Sequence, residues 1–151
     1  MQTDDTSRDV RLIEELLVRQ YQSVHWAPGE EADWAGFAGD FLPGTELFPG
    51  ARPVKRQTVA AFIERMNGLR SQGKLVSLKE RFLGCSIHVF GNVAVALAAC
   101  EMLENGSEVT RDVSAFLLVK EEDAWRIASP AWDAESDSNR IPGYLTERQE
   151  L

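Results

Sequence analysis

The sequence predicts an α+β protein in which a strongly curved antiparallel sheet wraps over about three N-terminal helices. In the first half of the chain, apolar residues recur at helical spacing. From Leu75 onward the period changes to two, and turn residues divide this half into four consecutive strands. A sheet that curves over helices leaves a pocket between the two layers, and any ligand or chemistry is expected there.

The bulk composition predicts one domain. The chain has 151 residues, of which 44% are hydrophobic and 26% charged. We expect a single domain over residues 1–151, with a core of about 7–135 and a tail, 136–151, that is either a frayed end or a strap across the molecule. No apolar run approaches the ~20 residues that span a bilayer. The acidic N-terminus is unlike a secretory signal, so we expect a cytoplasmic protein without membrane binding.

The net charge of −8 disfavours nucleic acid as a partner, because phosphates would be repelled. No histidine, cysteine or carboxylate spacing matches a metal site, and we predict neither a metal nor a cofactor. The two cysteines, Cys85 and Cys100, lie in apolar strand patterns. We expect them to be buried free thiols in a reducing compartment.

Three helices are predicted before the sheet. Thr6-Ser7-Arg8-Asp9 fits a capping box, and the apolar stripe after it predicts a helix over about 7–25. A shorter helix is expected around 33–41, where three aromatic residues fall on one face. Residues 45–48 are predicted to form a short strand. The third helix is expected over about 58–73, ending where a glycine suits a left-handed conformation.

Turn residues predict the connections of the sheet. Gly91-Asn92 suits a two-residue hairpin, because glycine readily adopts positive φ. Asn105-Gly106 is a second turn of similar chemistry, and residues 121–123 close the third hairpin. The four strands are therefore expected to form one antiparallel meander.

Several segments stand in an order and spacing found in a known superfamily. They are Gln20-Tyr21 at the end of helix 1, residues 33–41, residues 58–69, Phe90–Ala94 leading to Cys100-Glu101, and Trp125–Ala128 with Trp132–Glu135. Together they resemble the nuclear transport factor 2-like superfamily, and this resemblance implies that the curved sheet is cone-shaped. This superfamily includes ketosteroid isomerases, SnoaL-like polyketide cyclases and many uncharacterised bacterial proteins. The resemblance covers nearly the whole chain up to Glu135.

The resemblance implies which strand face lines the cone. On residues 93–103 the small set, from Ala94 to Cys100 in alternation, would face inward. The outer set, with Val95 and Leu97, would form a large apolar patch together with Val113, Ala115, Leu117, Val119 and Trp132. Such a patch usually marks a partner surface. We therefore expect a homodimer with the sheets packed face to face, as the resemblance also implies.

The same alignment implies the lining of the pocket. A two-residue Asn105-Gly106 turn would point Arg111 into the cone, whereas a single bulge would turn Asp112 and Ser114 inward. We favour the second arrangement. The pocket residues expected on this basis are Tyr21, Trp34, Phe48, Met66, Cys100, Ser114, Phe116, Ser129, Ala131 and Asp133.

Asp133 is the predicted catalytic residue. An inward carboxylate with apolar neighbours would have a raised pKa and could act as an acid or base near neutral pH. Tyr21 matches the tyrosine that donates to the enolate oxygen in ketosteroid isomerases. The base and second-donor positions of those enzymes fall near Phe48 and Ser114 here, so steroid isomerisation is not expected.

Three functions are compatible with these residues. The first is binding of a small, mainly apolar ligand in the cone pocket. The second is a SnoaL-like isomerase, cyclase or dehydratase that uses Asp133 as its acid or base. The third is a non-catalytic dimeric interaction module whose cone is filled by its own side chains. Whether the cone is open or filled separates the first two from the third.

Overall fold

Three helices precede a four-stranded antiparallel sheet in the computed structural model of the protein, which describes residues 2–146. The predicted fold class is confirmed. Among these residues no helix is both long and apolar enough to cross a membrane. The elements are α1 (Gln2–Ser23), α2 (Trp34–Gly39), β1 (Glu46–Leu47), β2 (Gln57–Thr58), α3 (Val59–Ser71), β3 (Leu78–Phe90), β4 (Val93–Glu104), β5 (Glu108–Glu121), β6 (Ala124–Ala134) and a 3-10 turn (Gly143–Leu145).

Helix α1 begins earlier than predicted. It passes through the proposed capping box, so that prediction is wrong. Asp9 is instead buried, and its carboxylate accepts hydrogen bonds from Trp125 Nε1 at 3.0 Å and from Lys120 Nζ at 3.1 and 3.2 Å. The Asp9 carboxylate therefore takes part in a tertiary contact, although the local pattern assigns it to a helix start. It ties α1 to the ends of β5 and β6.

The two shorter helices have the starts that their sequences predict. The Asp33 side chain accepts from the Gly36 amide at 3.0 Å, and the Thr58 hydroxyl accepts from the Ala61 amide at 3.0 Å. Both satisfy an amide that has no partner inside the helix. After α3, Gly73 has a φ of +75° and lets the chain turn into the sheet.

The strand order is β3-β4-β5-β6. The turn between β4 and β5 has three residues, because Glu104 pairs with Glu108 around Asn105-Gly106-Ser107. This extra residue places Cys100 opposite Asp112. Asp112 and Ser114 consequently face α1, on what we call the inner face of the sheet, and Arg111 lies on the outer face.

A bulge in β6 changes which of its side chains face inward. Leu117 pairs with Ser129 and Leu118 with Ile127, so Ala128 is an extra residue without a partner. Before the bulge, Trp125 and Ile127 are buried against the helices; beyond it the inner residues are Pro130 and Trp132. The odd-numbered residues of this half, Ser129, Ala131 and Asp133, are on the outer face. The prediction that Trp132 belongs to the outer patch is wrong for the same reason.

The described part of the tail is a strap across the outer face. Leu145 is 1% exposed and packs with Leu83 and Ala99. Gly84 allows the approach, since a Cβ there would collide with the Leu145 carbonyl. Residues 141–146 therefore form a strap, which is one of the two predicted alternatives, and not a frayed end. The last part of the predicted tail, 147–151, lies outside the described residues.

Candidate functional site

A cavity of about 390 Å³ lies between the helices and the inner face of the sheet. This volume is at the small end of the ~300–1,000 Å³ typical of small-molecule sites. The side chains of residues 2–146 therefore leave space inside the cone. The apolar wall comes from α2, α3 and three strands, and its larger side chains are Phe37, Phe62, Met66, Met102, Phe116 and Trp132.

Ring contacts hold the aromatic part of this wall in place. Phe37 and Phe62 stack with centroids 5.3 Å apart, and Trp132 meets the Phe62 ring edge-on at 6.1 Å. Tyr21 packs against Phe82 at 6.1 Å and Phe116 at 6.4 Å. Such pairs add roughly 0.5–1.5 kcal/mol each beyond burial. The wall is a preformed apolar surface.

One region of the cavity, which we call the polar end, is built from Tyr21, Glu80, Asp112 and Ser114. Tyr21 comes from α1 and Glu80 from β3, whereas Asp112 and Ser114 alternate on β5. Behind them the buried Cys100 thiol donates to Glu80 Oε2 at 3.7 Å. Four elements thus bring their polar groups to one place in an otherwise apolar space.

Two atoms of the polar end are left without partners. Tyr21 is 7% and Asp112 8% exposed, and neither Tyr21 Oη nor Asp112 Oδ1 has a hydrogen-bond partner among residues 2–146. Ser114 lies close enough to lower the pKa of the phenol but does not complete a hydrogen bond. A buried polar atom without a partner costs about 1–3 kcal/mol. These two side chains are therefore able to engage a ligand at little cost.

Burial raises the pKa values of the acidic groups. It raises the pKa of Asp112 to about 6. Burial and, second, the charge of Asp112 raise the pKa of Glu80 to about 8, against the opposing hydrogen bond from Cys100. Burial also raises the pKa of the Tyr21 phenol well above its usual value. At neutral pH Asp112 is mostly ionised and Glu80 protonated, so the pair carries about one negative charge.

The rim of the cavity has a different character. Arg65 and Lys74 both line it and are both exposed. The Arg65 guanidinium carbon lies 5.6 Å from the centroid of the Phe62 ring. Positive charge is thus found at the rim, and negative charge at the polar end.

The structure places four of the predicted pocket residues in the cavity wall: Tyr21, Met66, Ser114 and Phe116. Three others lie close by without lining it. Trp34 packs on Phe37 and donates to Asn67 Oδ1 at 3.0 Å. Phe48 forms a bridge with Ala131 at the edge of β6, and Cys100 is fully buried behind the wall.

The other three predicted residues are on the wrong side of the sheet. Ser129 and Ala131 line a groove on the outer face, and Asp133 is exposed there opposite Val113. The predicted inward placement of Asp133 is wrong, because the bulge at Ala128 reverses the alternation. Its carboxylate accepts from the adjacent Ala134 amide at 2.9 Å.

The prediction missed Glu80 and Trp132 as cavity residues. Glu80 lies two residues before Phe82, which also faces α1. Because residues two apart on a strand share a face, the alternation of β3 could have placed Glu80 in the cavity. Between Phe82 and Gly84 the register shifts, and this bulge obscures the pattern further along. Trp132 was missed because the bulge at Ala128 reverses the alternation, as it does for Asp133.

No protein-family model matches the sequence, and no curated protein is significantly similar to it. Solved structures share its fold. A nuclear transport factor 2-like protein of unknown function from Shewanella baltica has 15% identity, over 87% of this chain and 97% of that chain, and a TM-score of 0.59. A protein of unknown function with a cystatin-like fold, from Nostoc punctiforme, has 11% identity over 85% and 92%, and a TM-score of 0.65.

A third similar structure, from Streptomyces avermitilis, is provisionally named as a dehydratase of the nuclear transport factor 2-like family. It has 12% identity, over 87% of this chain and 99% of that chain, and a TM-score of 0.68. Identities this low show the fold alone. The chain has the nuclear transport factor 2-like fold, as its sequence predicts.

Proposed function

We propose that the protein binds a small, mainly apolar ligand in the cone cavity, with Tyr21 and Asp112 as its polar contacts. One observation carries this proposal. A preformed apolar cavity contains two buried polar atoms, Tyr21 Oη and Asp112 Oδ1, that no described residue satisfies. Sites of this composition, apolar with few convergent polar groups, are typical of small-molecule binding.

The aromatic wall supports the same proposal. Phe62 and Trp132 contribute flat surfaces that a ring or alkyl body can cover, gaining about 25 cal/mol per Å² of apolar area buried. Because the rings are already held by their neighbours, little side-chain entropy is lost when a ligand enters.

Binding can be tested with a neutral aromatic probe, 1-naphthalenemethanol, followed by fluorescence and by thermal stabilisation. Ser114→Leu adds bulk inside the cavity, and Ala115→Leu adds comparable bulk to the adjacent outer position. We expect the first variant to lose the probe and the second to keep it, with both shown to be folded by circular dichroism. Equal binding of the probe by the two variants would contradict the proposal, as would a wild type that binds no aromatic probe, whether neutral or cationic.

A second candidate function is an isomerase or dehydratase type of enzyme in which Asp112, in place of Asp133, moves a proton. The pKa of about 6 for Asp112 suits an acid or base near neutral pH, and protonated Glu80 and Tyr21 can donate to a substrate oxygen. Turnover of candidate hydroxyl and carbonyl substrates by wild type and Asp112→Asn tests it. Unchanged turnover in the variant would exclude Asp112 as the catalytic group.

We also propose a homodimer through the outer face of the sheet. The strap covers only part of this face, and Val95, Leu97 and Leu117 remain 52%, 37% and 46% exposed. Sedimentation should give twice the 16.9 kDa chain mass. Leu117→Glu is expected to give a monomer, because a charge cannot be buried unpaired in the contact, whereas Val109→Glu near the strand end should remain dimeric. A monomeric wild type would refute this proposal.

A further inference from the structure

We infer that the ligand is an organic cation: a protonated amine carried on an apolar, ring-sized body, with its nitrogen at the polar end of the cavity. This inference rests on the proposed binding function and adds the chemical class of the ligand. It follows from the kind of atom left unpartnered, from the charges around it and from the aromatic wall.

The unpartnered atom of Asp112 is an acceptor. An ionised carboxylate oxygen has lone pairs and no proton, so only an N–H or O–H of the ligand can satisfy it. A ligand carbonyl or carboxylate placed against Asp112 Oδ1 would bring two acceptors together. The ligand must therefore donate at this point.

The charges favour a donor that is positive. The titratable groups facing Asp112 are Tyr21 from α1, Glu80 from β3 and Cys100 from β4, and none of them is a cation. In the described part of the chain neither Asp112 nor Glu80 forms an ion pair, and no basic residue acts on either pKa. A buried charge is strongly disfavoured unless it is paired. A ligand ammonium supplies the missing counter-charge.

The number of acceptors fits a primary ammonium. Asp112 Oδ1 and Tyr21 Oη lack partners, and Ser114 Oγ lines the cavity beside them. An ammonium has three N–H donors, one for each of these oxygens. The aromatic rings of Tyr21 and Phe116, with centroids 6.4 Å apart, lie at the same end of the cavity, and a cation is attracted to the face of such a ring.

The protonation of the polar end then makes binding depend on pH. The pKa of Asp112 is about 6, so the carboxylate form falls from nearly complete at pH 7.5 to about one tenth at pH 5. An amine stays protonated over this range. Its affinity should therefore weaken about tenfold from pH 7.5 to pH 5, whereas a neutral ligand of the same shape has no such dependence.

Matched pairs of amine and alcohol test this directly. Benzylamine, 1-naphthylmethylamine and 4-phenylbenzylamine are titrated against the protein by calorimetry beside the corresponding alcohols, at pH 7.5 and pH 5. We expect at least one amine to bind about tenfold or more tightly than its alcohol at pH 7.5 and to lose most of this preference at pH 5.

Asp112→Asn should abolish the preference while still binding the alcohol. Glu108→Gln, which removes one negative charge from an exposed position of the same strand, should keep it. Tyr21→Phe, which removes only a hydroxyl, serves as a second test if Asp112→Asn unfolds, and should weaken the affinity for the amine several-fold.

If the alcohols bind as well as or better than the amines, the inference is wrong and the binding function stands. If neither series binds, both are wrong.

Discussion

Glu80 should make the folded protein less stable as the pH rises through the neutral range. Its pKa is about 8 in the folded protein, against 4.5 for an unperturbed glutamate. Between these values the folded state holds a proton that the unfolded chain has released. Stability falls with rising pH wherever the folded state binds more protons, by about 1.4 kcal/mol per unit for one group. Below about pH 4.5 both states are protonated and the effect vanishes.

Glu80→Gln removes this titration and keeps an oxygen for the Cys100 thiol. Between pH 5.5 and 8 the wild type should lose roughly 3 kcal/mol relative to the variant, the full proton-linked difference over that range. The measurement is urea unfolding, followed by tryptophan fluorescence, at four pH values for each protein. Glu108→Gln, at an exposed site, should follow the wild type. If the difference between wild type and Glu80→Gln were the same at every pH, the buried-acid reasoning would be refuted.

Other predictions concern how the elements are joined. Leu145→Ala should cost about 2–3 kcal/mol in urea unfolding, at the lower end for a buried leucine because the strap can settle, whereas the half-exposed neighbour Tyr144→Ala should cost under ~0.5 kcal/mol. Gly84→Ala should displace the strap and expose its backbone to limited proteolysis, and an unchanged cleavage pattern would contradict the predicted collision. Asp9→Ala leaves Trp125 Nε1 without an acceptor and should destabilise the protein by about 2 kcal/mol in thermal or urea unfolding; a smaller loss than ~0.5 kcal/mol would show that the contact is not needed.

The long periodic segments could be predicted from the sequence because their signals are redundant. Many residues of α1 repeat the spacing of a helix and many residues of β4 repeat the alternation of a strand, so one ambiguous position does not alter the result. The helix starts at Thr58 and Asp33 could also be predicted, because they depend on local hydrogen bonds.

The composition of the site was harder to predict, because a single extra residue changes it. Ala128 has no sequence feature that marks a bulge, yet it exchanges the two faces of β6 and moves Asp133 out of the cone and Trp132 into it. The extra residue in the 105–107 turn has the same kind of effect on β5, and there the favoured alternative put Asp112 on the correct face. The raised pKa of Glu80 depends on burial and on neighbours from two other strands, β4 and β5, and has no local signal.

The contact between Asp9, Lys120 and Trp125 also restricts which helix can move to admit a molecule to the cone. Helix α1 is held there near its start and again near its end, where Arg19 pairs with Asp40 at 2.9 Å. In α3, all of which the structure describes, Met66 is the one buried residue. Withdrawing α1 would break buried polar contacts, whereas tilting α3 would disturb mainly apolar contacts such as those of the Phe62 ring. We therefore expect that any molecule exchanging with the cone passes on the α3 side, at a rate that depends on how firmly α3 is packed.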